Sequence, residues 1–167
     1  MTRRDLIHKW FIYSLGLVVV WLLDAYVLPR YPVYGTTPML LPVAVVAVAV
    51  LEGALAGSGF GLAVGLLWEV AYPGGFGGLV AFLAVMGMLT GALAQYALSQ
   101  SLPGCLLSSA LMLGVLDGMR ILRGLLTHAA DLPTMLEVAV PECLLSLAWT
   151  PLVYLLFRRI FNRVGGT

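Results

Sequence analysis

Long apolar runs separated by short breaks of proline, glycine or charge set the pattern of this chain. The runs cover residues 10–28, 38–72, 79–98, 103–126 and 134–157. Four of them have the length of one membrane-crossing helix, about 20 residues. The run at 38–72 does not, because its 35 residues carry charge only at Glu52 and Glu69. As one helix it would be roughly 52 Å long at about 1.5 Å per residue, against a hydrocarbon core of roughly 30 Å. It must fold back once, and the break belongs near residues 56–59, giving spans at 38–55 and 58–72. The pattern therefore predicts an all-α, polytopic membrane bundle of six transmembrane helices in a single domain, residues 1–167.

Local signals place the ends of these spans. Pro29 closes the first, with Tyr26, Tyr31 and Tyr34 as an interfacial aromatic anchor. Thr37 followed by Pro38 reads as an N-cap and first helical residue. The sequence PGGFGG at 73–78 reads as a turn, Pro103 opens the fifth span, and Pro141 and Pro151 should bend the sixth.

Composition agrees: 61% of residues are hydrophobic and 10% charged, and the mean hydropathy of +1.00 excludes an ordinary soluble globule. The placement of charge says more than its sum. Six of the nine Lys and Arg lie in the tails: Arg3, Arg4 and Lys9 at one end, Arg158, Arg159 and Arg163 at the other. The positive-inside rule then puts both termini in the cytoplasm, which an even number of crossings allows. The first apolar run is longer than a signal-peptide core, contains Asp24 and lacks a small-x-small cleavage pattern, so it reads as a retained anchor.

Two features inside the membrane pattern invite function. Gly53, Gly57, Gly61 and Gly65 recur every four residues toward Glu69, and Gly87 and Gly91 repeat the spacing in span 4. Small residues at this interval let helix backbones approach closely, either within the bundle or against a partner. With a turn at 57–59, Gly53 belongs to span 2 and only Gly61, Gly65 and Glu69 share a face of span 3. The second feature is charge: Asp24, Glu69, Asp117, Arg120, Arg123, Glu137 and Glu142 all fall toward the outer side, with Glu52 alone near the cytoplasmic end. An intramembrane charge costs about 2.5–3.5 kcal/mol at mid-helix, so these groups need partners or water. On one reading Arg120 pairs with Asp117, and Arg120 or Arg123 reaches Glu142, while Asp24, Arg123 and Glu137 extend to the headgroups. On the other, Asp117, Arg120, Arg123, Glu142 and Glu69 line an outward polar pocket or partner groove.

No catalytic signature accompanies them. The chain has no HExxH, GxSxG or P-loop, and its glycine runs lack the spacing and strand–helix context of a dinucleotide site. His8 and His128 fall at opposite faces, which argues against a dihistidine metal site, and Cys105 and Cys143 read as packing residues inside apolar segments. The expectation is a protein that is not an enzyme and carries neither cofactor nor metal.

The run PMLLPVAVVAVAVLEGALAGSGFGLAVGLLWEVAYPGGFG resembles the rod shape-determining protein MreD family. The likeness lies in a proline-led apolar helix, an EG turn, glycines every four residues, then GLL, an acidic residue and a Gly/Pro-rich turn. It covers residues 38–91, with Glu69 where that family commonly has aspartate. The resemblance implies a non-enzymatic membrane component of bacterial cell elongation, acting with MreC, a single-pass partner, and with the MreB filament and peptidoglycan synthases. It also implies a fold like that of the substrate-binding S component of energy-coupling-factor vitamin transporters. The S component is therefore the alternative, with an outer ligand pocket near Asp117, Arg120 and Glu142.

Overall fold

A computed structural model describes residues 3–33, 35–71, 78–96, 101–128 and 131–164. Among them the chain is all-α, with six α-helices: α1 (Arg3–Leu22), α2 (Leu40–Glu52), α3 (Ala54–Ala71), α4 (Leu79–Tyr96), α5 (Leu102–Leu126) and α6 (Leu132–Val164). The first continues through a π-helical segment, Leu23–Val27, and a short 3-10 turn, Leu28–Arg30. Four helical stretches are long and apolar enough to cross a membrane: Ile7–Arg30, α4, α5 and α6. Helices α2 and α3 are shorter, so of the six spans expected from the pattern four have spanning length and the two from the run at 38–72 are shorter apolar helices. The turn expected at residues 73–78 falls almost wholly outside the described residues.

Helix α2 is the axis of the bundle. Residues 40–51 are all buried, and α2 packs against each of the other five helices. A helix apolar on every face has no surface suited to water and must be enclosed or lie in lipid; here protein encloses it. The outside of the bundle is apolar too. Ile7, Phe11, Leu15, Leu144, Leu152 and Leu155 are all exposed, a surface matched to lipid chains rather than water.

The fold-back lies at Gly53, not at residues 56–59. Gly53 has φ of +93°, a conformation that costs glycine little and L-residues much. Helix α3 therefore starts earlier than expected, which adds Gly57 to the face holding Gly61 and Gly65. That face lies antiparallel on α4. A Cβ on Gly57 would stand 2.5 Å from the Gly87 carbonyl oxygen, one on Gly61 would strike the Leu83 carbonyl, and one on Gly65 would come within 2.6 Å of Val80 Cα. In the same register, a Cβ on Gly91 would meet the Gly53 carbonyl carbon at 2.5 Å and Ala54 Cα at 2.6 Å. The glycine stripe is thus an internal backbone-to-backbone seam.

The start of α2 also departs from its local signal. Thr37 and Pro38 precede the helix, which begins at Leu40. The exposed N–H groups of a helix N-terminus need acceptors, and these come from distant helices: Leu40 N–H donates to Asp24 Oδ1 at 2.9 Å and Met39 N–H to Ser146 Oγ at 2.8 Å. Asp24 is therefore a buried helix clamp, in place of the headgroup-reaching side chain expected of it. At the other end of α2, Glu52 accepts from Lys9 Nζ at 2.5 Å and Tyr13 Oη at 2.7 Å. From Tyr13 to Asp24 is about 16 Å of helix and from Leu40 to Glu52 about 18 Å, so one helix grips both ends of the other.

Candidate functional site

The ionisable groups gather where α5 and α6 meet the start of α2. Helical spacing puts Asp117 and Arg120 on neighbouring positions of α5, while Glu142, Ser146 and Thr150 succeed one another at intervals of four along α6. Arg120 Nη1 donates to Asp117 Oδ1 at 3.3 Å and across the interface to Glu142 Oε2 at 3.1 Å. The same nitrogen lies 3.9 Å from Met39 Sδ, which brings the guanidinium against the mouth of α2.

Burial divides the charges unevenly. The side chains of Asp117 and Glu142 are 8% and 11% exposed, whereas that of Arg120 is 54% exposed. Two buried carboxylates therefore share one half-exposed cation. Removing that cation would leave two like charges in a medium that solvates neither well.

Cys143 adds a contact that the sequence did not announce. Its Sγ donates to Asp117 Oδ2 at 3.0 Å, so both Asp117 oxygens are engaged. Cys143 is not the simple packing residue expected, and both it and Cys105 are free thiols. Ser146 Oγ in turn donates to the Glu142 carbonyl at 2.7 Å while accepting from Met39 N–H. A continuous polar path thus links Asp24, the α2 N-terminus, Ser146 and Glu142 with Arg120 and Asp117. The recurrence of Glu142, Ser146 and Thr150 every four residues was the available sequence signal for Ser146; nothing local marked Cys143.

Two cavities flank Arg120. One, about 320 Å³, lies between α5 and α6 and is lined by Asp117, Arg120, Ile121, Thr134, Val138 and Glu142, among others. The other, about 250 Å³, lies where α4 and α5 barely touch, with Trp68, Phe82, Leu116, Met119, Arg120 and Arg123 in its walls.

The expected site residues do not all converge. Asp117, Arg120 and Glu142 form the cluster, and Arg123 lines the second cavity one turn further along α5. Glu69 stands apart on α3, its Oε1 buried without a hydrogen-bond partner among the described residues. Glu137 is exposed on α6. The glycines Gly53, Gly57, Gly61, Gly65, Gly87 and Gly91 belong to the α2–α4 packing, away from the charges. Among the described residues no three of His, Cys, Asp and Glu are arranged to hold a metal ion.

Fold and site together define an all-helical bundle of membrane type with ion pairs at both ends of α2 and cavities at one of them. No family model matches the chain, and neither a curated protein nor a solved structure matches it.

Proposed function

We propose that this chain is a non-enzymatic, multi-pass component of the bacterial cytoplasmic membrane, with both tails in the cytoplasm. In this reading it serves the cell-elongation machinery by scaffolding an MreC-like single-pass protein beside the peptidoglycan synthases. The observation that carries the reading is the coherence of residues 38–91, the stretch that resembles the MreD family. The described part of this stretch packs as one unit, α2 to α4, in which the backbones of α3 and α4 meet directly at Gly57, Gly61, Gly65 and Gly87. Such a unit presents a stiff apolar outer face, including Leu62, Leu66, Val85 and Leu89, all exposed, against which a single transmembrane helix can lie.

The test is made in the bacterium that carries the chain. Depletion should turn rod-shaped cells round, and the tagged chain should co-purify with the MreC-like protein. Leu66→Gln together with Leu89→Gln should weaken that recovery while the protein remains in the membrane. Cells that stay rod-shaped on depletion, with no MreC-like protein recovered, would reject the proposal.

One observation favours the S-component alternative: the cavity of about 320 Å³ bordered by Asp117, Arg120, Thr134 and Glu142, which offers both charge signs to a small polar molecule. On that reading a water-soluble vitamin raises the melting temperature of the purified protein. Arg120→Lys, which removes the planar fork, weakens the shift.

A further inference from the structure

We infer that the cleft between α4 and α5 is a binding site for an anionic phospholipid, with its phosphate at Arg120 and Arg123 and one acyl chain against Trp68, Phe82, Leu116 and Met119. The inference needs the bundle to lie in a membrane, but it does not rest on the elongation partner proposed above.

The cleft exists because α4 and α5 both pack on α2 yet barely touch each other. In a bilayer, a gap of about 250 Å³ opening between two spanning helices is filled by lipid if protein does not fill it. A volume of that size holds only part of a lipid, so the rest of the molecule remains in the bilayer.

Charge selects the kind of lipid. Among the described residues the cleft walls carry two guanidinium groups and no carboxylate, because Asp117 and Glu142 line the other cavity, on the α6 side of Arg120. Arg120 spends only Nη1 on those carboxylates. Its Nη2 and Nε have no hydrogen-bond partner among the described residues, and the side chain is 54% exposed. Pairing through one nitrogen holds the fork in place while leaving its other edge able to bind a phosphate.

Depth agrees with this assignment. Arg120 lies about 9 Å and Arg123 about 4.5 Å from the end of α5 at Leu126, measured along the helix axis. That is where a lipid phosphate meets the first stretch of its chains, with the apolar wall residue Leu116 one turn deeper. Basic pockets between transmembrane helices recognise anionic headgroups in this way.

Trp68 supplies the readout. The full chain is placed in phosphatidylcholine bilayers containing increasing fractions of chain-brominated phosphatidylglycerol, and the Trp68 signal is taken as wild type minus Trp68→Phe. Quenching should reach half its maximum at about a fivefold lower fraction for brominated phosphatidylglycerol than for brominated phosphatidylcholine. Arg123→Gln should remove about that fivefold preference. Met119→Phe, at an exposed position in the cleft wall, should reduce quenching even if the arginine variant does not fold. Equal quenching by the two lipids would overturn the assignment, as would an unchanged phosphatidylglycerol curve in Arg123→Gln. Reversal of the quenching by inorganic phosphate would overturn it as well, by showing a site for a soluble anion.

Discussion

The α3–α4 seam and the α5–α6 seam hold the same bundle together by opposite means. Between α3 and α4 side chains are missing at the contact, and backbone meets backbone at Gly57, Gly61, Gly65, Gly87 and Gly91. Between α5 and α6 long charged side chains span the contact, with Arg120 joining Asp117 to Glu142. The first seam leaves nothing for a ligand to bind. The second costs the desolvation of two carboxylates and leaves space beside the arginine, with one cavity inside the α5–α6 contact and another where α4 and α5 barely touch. Rigidity and chemistry are therefore segregated to different helix pairs.

The strongest way to break this contrast is to remove the shared cation. Arg120→Ala should destabilise the bundle by about 3 kcal/mol, the low end for a broken buried pair because the guanidinium is half exposed, as read from unfolding in a denaturing detergent. A charge reversal, Arg120→Glu, should be partly rescued by Glu142→Arg. If it is not, the carboxylates are held for a ligand instead of for the arginine.

On the glycine side, Gly61→Ala should cost about 2 kcal/mol in the same titration, because the new Cβ strikes main-chain atoms of Leu83 that cannot move independently. The loss should also loosen α3 from α4, measured as faster hydrogen exchange at the amides of both helices.

Asp24→Ala tests how far the charged end reaches. It removes the acceptor for Leu40 N–H and should cost about 1 kcal/mol, seen as faster hydrogen exchange at the first amides of α2. The smallest effect has the opposite sign. Gly59 lies on α3 with open space around its Cβ position, so Gly59→Ala should stabilise by about 0.5–1 kcal/mol. Opposite signs at Gly59 and Gly61, two residues apart, would identify the seam as the cause. A loss at both would mean that α3 tolerates no added bulk anywhere.

The pairing of Asp117, Arg120 and Glu142 was legible because helical spacing and the cost of a lone charge both act locally. The fold-back was not. Gly53, Gly57, Gly59 and Gly61 crowd one short stretch, and no neighbouring residue tells which takes the positive φ. A turn at residues 56–59 supposes that both arms cross lipid, whereas α2 is enclosed by protein and ends early at Glu52. The Thr37–Pro38 signal failed for a related reason. The acceptors that start α2 sit on α1's continuation and on α6, 16 and 107 residues away, beyond any local pattern. In the sequence Lys9 is one more tail charge, yet it closes the far end of the same helix on Glu52 across 43 residues.

The enclosure of α2 bears on how the bundle is assembled during synthesis. Helix α2 is made second, yet Ser146, which accepts its Met39 N–H, belongs to the last helix of the bundle. Until α6 is inserted, the side of α2 that will face it is left to lipid, where its alanines and valines are at home but the amide of Met39 has no acceptor. Closure of the core around α2 is thus tied to arrival of α6, and a chain halted after α5 would be inserted in the membrane with that core still open.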